Sequence, residues 1–249
     1  MKKEQEMIEI KENIKNLVIE ERKLQPKVGG RKLFVEFNRQ GKEIGVGRDQ
    51  FFEILGELGL LVRRRKSYRK TTNSNHRFNM AKNLIKFKES FKPKEVIVAD
   101  ITYIDTMEGF SYLSLITDIG SRKILGYCLS KSLAVEGCLE AMKMAWKELK
   151  GKNDVIHHSD RGVQYCCNGY IKYLKKRGIK SSMTEEDHVY ENAIAERVNG
   201  ILKDEFMLGE KLVSHEVAKK MVKEAIKIYN GKRLHMSLNY KTPNEVFVA

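Results

Sequence analysis

The chain has 249 residues, with 47 Lys and Arg against 33 Asp and Glu, a formal charge of +14. Its 41% hydrophobic content excludes wholesale disorder, no apolar run approaches the ~18 residues of a membrane span, and the charged N-terminus has no apolar signal-peptide core. Cys128, Cys138, Cys166 and Cys167 show no Cys-x-x-Cys spacing and read as reduced thiols of an intracellular protein. A balance this basic points to a polyanionic partner, nucleic acid first, with a merely basic protein as the plain alternative.

The first element in chain order is a helix over 6–24. Met7, Ile10, Ile14, Leu17 and Leu24 form one stripe, interrupted by Glu21. This stripe packs onto its own domain or forms a short coiled-coil seam. Two short amphipathic helices follow, from Lys32 and from Arg48, separated by a turn bounded by Gly41 and Gly45, the pattern of a helix-turn-helix over 27–62. Phe51, Phe52, Ile54, Leu55 and Leu58 supply the core of its second helix. Arg48 and Gln50 sit at the N-terminal end, where a recognition helix meets base edges.

The charge is concentrated next. Residues 61–90 hold ten basic side chains and one acid, Glu89. Arg63, Arg64, Arg65, Lys66, Arg69 and Lys70 lie in a basic linker over 63–93 that neutralises phosphates without sequence preference. By contrast, residues 91–249 carry 25 basic and 21 acidic side chains, close to neutrality.

From Glu95 the texture becomes β. Strands are predicted over 96–104, 110–117 and 123–129, joined by short turns as an antiparallel meander. Ser132 then caps a helix whose face is Leu139, Met142, Trp146 and Leu149. A short strand over 154–158, a helix over 169–176, an extended piece near Ile179 and helices over 191–206 and 215–229 complete the pattern. The order β-β-β-α-β-α-β-α-α makes 94–249 a mixed sheet flanked by helices, an α/β domain behind a small all-α one.

Three acids stand out in that domain. Asp100 interrupts an apolar strand, where an unpaired carboxylate is costly. Asp160 sits where a strand yields to a loop before Gly162, a common place for site residues. For either acid alone, a turn, a cap or an ion pair explains the residue equally well. Glu196 is reached by helical angles. Measured from Ile194 at 100° per residue, Val198, Ile201 and Leu202 lie at about 40°, −20° and 80°, while Asn192, Lys203 and Glu196 lie at about 160°, 180° and 200°, away from the core. An ordinary solvated face is the plain alternative. Carboxylates of this kind suit hard, oxygen-seeking Mg²⁺, and an ion pair ~3.5–4 Å apart can drive in-line phosphoryl displacement.

Together these segments resemble the transposases of bacterial insertion sequences, downstream-frame type, whose catalytic domain is like that of retroviral integrases. The resemblance rests on Ala99 to Ile104, on the run His157-His158-Ser159-Asp160-Arg161-Gly162-Val163-Gln164-Tyr165, on Tyr190 to Lys203, and on Tyr229 to Pro243, with 35 residues between Asp160 and Glu196. It implies a ribonuclease-H-like core, a D,D,E site mapping onto Asp100, Asp160 and Glu196, and Mg²⁺ or Mn²⁺, two ions per site. It also implies cleavage of element ends, attack by the new 3′-hydroxyl on target DNA, and assembly as a homo-oligomer on DNA. The element's terminal inverted repeats, target DNA and an upstream-frame protein are the implied partners, in the cytoplasm beside the nucleoid. His158, Gln164 and Asn192 are carried as supporting residues, and Lys203 as a phosphate contact. Arg233 and His235 either touch DNA or cap the last helix. The family often has Trp three residues before the first Asp, where Ile97 stands here. The competing functions are a ribonuclease-H-fold nuclease or resolvase without strand transfer, and a non-catalytic DNA-binding regulator.

Overall fold

The computed structural model describes residues 2–62, 80–86, 88, 90–185 and 193–248. Arg63, Arg64, Arg65, Lys66, Arg69, Lys70 and Asn192 lie outside the described residues. No helix among the described residues is long and apolar enough to cross a membrane, and all four cysteines are free thiols.

Helices α1 (Lys2–Leu24), α2 (Gly30–Arg39) and α3 (Arg48–Glu57) share one apolar core. Its buried centre includes Ile14 and Val18 of α1, Leu33 and Phe37 of α2, and Phe51, Ile54 and Leu55 of α3. The α1 stripe therefore packs within its own domain, as one of the two sequence alternatives held. Its composition differs at the end: Val18 is buried, Leu24 is exposed, and Glu21 is buried at 3% exposure. Glu21 belongs to the buried face because it meets Lys232 of the second domain at 2.9 Å. Between α2 and α3, Gly41 (φ 65°) and Gly45 (φ 72°) take the left-handed backbone that the turn requires.

The second domain is built on a five-stranded sheet in the order β3-β2-β1-β4-β5. Strands β1 (Val96–Thr106), β2 (Gly109–Asp118) and β3 (Ile124–Ser130) form the antiparallel meander, while β4 (Ile156–Ser159) runs parallel to β1 and β5 (Lys180–Met183) parallel to β4. Helix α4 (Val135–Glu148), the single turn α5 (Val163–Cys166) and α6 (Asn168–Lys175) cover one face. Helices α7 (Ala193–Glu205) and α8 (His215–Gly231) cover the other, and a short α9 (Pro243–Val248) closes the chain. Alternation along β1 sends Ile97 and Ala99 toward α4 and α6, and Val98 and Ile104 toward α7 and α8. Ile97, at 0% exposure, is a core residue of the first face.

Two local expectations are corrected. Ser132 does not cap α4. The helix starts after Ala134, without a side-chain cap, and Ser132 instead donates its N–H to Ser130 Oγ. The buried face of α4 is Cys138, Ala141, Met142, Ala145 and Leu149, with Leu139 and Trp146 only partly buried at its edge. Small residues are needed there because α4 lies almost directly on β3. A Cβ on Gly126 would stand 2.0 Å from the carbonyl oxygen of Ala141 and 2.8 Å from the nitrogen of Ala145. Backbone cannot yield as a side chain can. We expect Gly126→Ala to cost about 3 kcal/mol or more, at the upper end of overpacking penalties, read as a lowered urea midpoint. An unchanged midpoint would contradict this packing.

Candidate active site

The parallel pairing of β1 with β4 brings two of the acids together. Ala99 is in register with Ser159, so Asp100 and Asp160 are the next residues on adjacent chains at the same end of the sheet. Asp100 lies within β1. Asp160 has left its strand, and its Oδ1 accepts the Gly162 N–H at 3.0 Å, which shapes the loop leading into α5. The third acid comes from α7, packed against β1, with Glu196 in its first turn.

Helix α7 turns its buried face closer to the acids than the apolar positions alone predicted. Ala195 and Asn199 are buried beside Val198, Ile201 and Leu202, which widens the core face toward Glu196, itself exposed as expected. Asn199 is the site residue missing from the sequence reading. Its Nδ2 donates to Asp100 Oδ2 at 2.6 Å. The signal was present, since Asn199 follows Glu196 by three residues and so shares its side of the helix. A buried amide one turn from a site carboxylate needs a partner, and Asp100 is that partner.

Electrostatics ties the three acids into one system. Asp100 retains some accessible surface, but its carboxyl is packed round by protein and its pKa is pushed up to about 7. Burial is the largest cause, followed by the charge of Asp160; Glu196 adds to it, and the hydrogen bond from Asn199 opposes it. As placed, no group of three His, Cys, Asp or Glu side chains among the described residues is close enough to share an ion.

The supporting residues fall close by. His158, in β4 two residues before Asp160, is fully buried, and its Nδ1 meets Ser182 Oγ at 2.9 Å on β5. Leu84 N–H donates to that same hydroxyl at 2.9 Å, so Ser182 joins His158 to the segment before β1. His157 faces the other way and meets Tyr170 OH at 2.9 Å. Burial lowers its pKa to about 3, so it stays neutral. Gln164 Nε2 donates to Leu133 O at 2.9 Å, tying the loop after Asp160 to the start of α4. Cys166 ends α5 and Cys167 precedes α6, as small, largely buried residues.

The expected DNA contacts divide. Arg48 and Gln50 are exposed on the first turn of α3, with Arg48 paired to Asp49 at 2.8 Å and Gln50 reaching Met7 Sδ at 4.0 Å. Lys203 lies two turns beyond Glu196 on the same side of α7, its ammonium 5.0 Å above the Tyr103 ring of β1. Arg233 and His235 are 3% and 6% exposed and belong to a buried ion network, and the Arg233 N–H donates to the Ile228 carbonyl at 2.9 Å at the end of α8.

Because Asp100 has a raised pKa in the folded chain, the native state binds its proton more tightly than the unfolded chain, whose Asp titrates near ~3.9. Stability therefore falls as pH rises from about 4 to about 7 and stays reduced above that window. With metal chelated, Asp100→Asn is expected to melt several degrees above the parent at pH 8, with the gap narrowing toward pH 5. A gap that is constant with pH would show that Asp100 carries no such burden.

Integrase core domain families match residues 91–188 and 177–243, the region that holds all three acids. The chain is 35% identical to the insertion element IS600 31 kDa protein of Shigella sonnei over 86% of this chain and 79% of that one. It is 31% identical to the putative transposase for the insertion sequence element IS986/IS6110 of Mycobacterium tuberculosis, over 89% of this chain and 81% of that one. Among solved structures, the HTLV-2 integrase catalytic core aligns with a TM-score of 0.51 at 18% identity, covering 64% of this chain and 99% of that one, which places the sheet and its helices in the ribonuclease-H-like class. With relatives at this identity spanning most of both chains and an integrase core over its acids, the chain belongs to the family of bacterial insertion-sequence transposases with an integrase-like core.

Proposed function

We propose that this chain cleaves the ends of its element and joins the new 3′-hydroxyls to target DNA, with Asp100, Asp160 and Glu196 holding Mg²⁺ or Mn²⁺, two ions per site. The observation that carries the reading is the placement of buried Asp100 in β1 within electrostatic reach of Asp160, at the end of β4, and of Glu196 on α7. Such a donor set is all oxygen and excess negative charge, the chemistry a hard divalent ion requires. The negative charge of Asp160 and Glu196 that raises the proton affinity of Asp100 would also favour a cation there. When bound, the ions supply activation of the attacking oxygen and neutralisation of charge on the leaving one. The HTLV-2 core of the same fold, solved in complex with magnesium, supports the choice of ion.

The remaining work falls to the chain's own groups. Asn199 fixes which oxygen of Asp100 faces the site, since Oδ2 is occupied by its amide. The Gly162 N–H orients Asp160 in the same way. Residues 27–62 read the terminal inverted repeats through Arg48 and Gln50, residues 63–93 form a basic linker that adds affinity for phosphates, and residues 94–249 carry the chemistry, with Lys203 as a phosphate contact. We propose a homo-oligomer on DNA, with an upstream-frame protein as a further partner.

Incubation of the full chain with Mg²⁺ and duplexes taken from the sequence flanking its gene tests this. The parent should nick and join those ends. Asp100→Asn, Asp160→Asn and Glu196→Gln should each lose at least a thousandfold in both steps while binding the ends within about twofold of the parent. Asn199→Ala should lose roughly ten- to a hundredfold, as outer-shell partners of metal ligands do. Nicking without joining would favour a nuclease or resolvase. Joining by a protein lacking all three acids would refute the site.

A further inference from the structure

The two domains meet along a seam built from buried and half-buried charges, and its centre is Glu205, the last residue of α7. Arg233 Nε and Nη2 grip the Glu205 carboxylate at 2.8 and 2.7 Å, while Lys32 Nζ of α2 reaches both of its oxygens at 3.0 Å. Arg233 Nη1 also donates to His235 Nε2 at 3.0 Å. From the first domain, the Lys27 N–H donates to the Glu205 carbonyl at 3.1 Å, and the Lys27 ammonium stands 3.8 Å from Glu210. Arg39 Nη1 donates to the Tyr240 carbonyl at 2.8 Å, and its Nη2 meets Glu245 at 2.7 Å. Buried Glu21 of α1 takes Lys232 at 2.9 Å. Burial alone would raise Glu205, but Arg233 and Lys32 hold its pKa below the ordinary value; burial, then Arg233, bring Lys32 down to about 8.

The arrangement is directional. Lys32 and Arg39 are seven residues apart, hence on one stripe of α2, and that stripe is committed to the second domain. The first turn of α3 is not: Arg48 and Asp49 keep 66% and 83% of their side-chain surface. Glu205 also lies on the helix that carries Glu196, nine residues and therefore about 14 Å along its axis.

We infer that this seam joins the DNA-reading helices and the Glu196 helix of one protomer into a single body, with α2 serving as the docking element and α3 alone left to read DNA. The inference rests on the function proposed above. Its consequence is that the offset between the recognised base pairs and the cleaved phosphate is set by the seam and not by the linker. In a helix-turn-helix the first helix ordinarily crosses the DNA backbone; here two of its three cations, Lys32 and Arg39, are already paired with the protein's own carboxylates, and Arg31 is exposed.

The full-length double variant Lys32→Ala/Arg39→Ala tests the inference. It opens the α2 side of the seam but leaves Glu205 in its fork with Arg233 and leaves the apolar core of α1–α3 intact, so both domains should keep their melting transitions. Hydrogen exchange and small-angle scattering on the DNA-free, metal-free protein read the seam itself. Amides of α2 should exchange at least tenfold faster than in the parent, and the radius of gyration should rise. On duplexes of the element's end, cleavage should slow at least tenfold and spread over neighbouring phosphates, while affinity for the duplex stays within twofold. Unchanged exchange and scattering would overturn the seam. Cleavage at the parental phosphate and rate, despite an opened seam, would overturn its role in setting the cut. A fall in DNA affinity would show that α2 contacts DNA, and a rise would show that the seam masks the reading surface; either overturns the assignment of α2. Should the parent itself show no Mg²⁺-dependent cleavage, the proposed function fails while exchange and scattering still decide the seam.

Discussion

Burial of the Asp100 carboxyl beside a second acid, Asp160, is the constraint around which the integrase-like domain is arranged. Asp100 is pressed into the sheet beside Asp160, with Glu196 in electrostatic reach, and the cost appears as a pKa near 7. The fold creates this cost through features that are otherwise ordinary. The parallel pairing of β1 with β4 sets Asp100, within β1, level with Asp160 just past the end of β4, and a helix packed on β1 delivers the third. The structure offsets only part of this cost, through the Ile101 backbone N–H and the Asn199 amide at Asp100 and a backbone N–H at Asp160.

Glu205 provides the contrast within the same helix. It too is largely buried, yet its pKa is lowered, because Arg233 and Lys32 neutralise it. One end of α7 therefore carries an acid among acids, and the other an acid saturated with cations. The first end suits exchangeable ions, the second a permanent joint. The uneven charge of the chain follows the same logic. The catalytic part stays near neutral because its cations are matched by acids, several of them in fixed pairs, while the excess lies in the segment between the domains.

Much of this was legible in the sequence. β-Branched runs with short turns gave the meander, and an acid in such a run marked Asp100 as anomalous, because apolar alternation has no place for a charge. On α7 the apolar residues alone point to Glu196 as an outward-facing acid, but they draw the buried face too narrowly. The method counted only apolar side chains as buried, and Asn199 is a buried amide held by a partner 99 residues away. The same blindness hid the seam. Glu21 read as a flaw in a stripe, and Arg233 and His235 as surface or capping groups, because a buried charge is recognisable only once its counter-ion is placed beside it. Ser132 was misread as a cap for a different reason: a helix start depends on where α4 meets the sheet, and Gly126 lets that meeting be unusually close.

The central claim is that the strain on Asp100 is relieved by a divalent cation. Titrating Mn²⁺ calorimetrically into the metal-free protein at pH 6.5, in two buffers of different ionisation enthalpy, measures the protons released on binding. The account predicts saturable binding with release of a substantial fraction of a proton per site in the parent, and weaker binding without that release in Asp100→Asn. Binding of equal strength and proton release in both proteins, or no saturable binding by the parent, would contradict it.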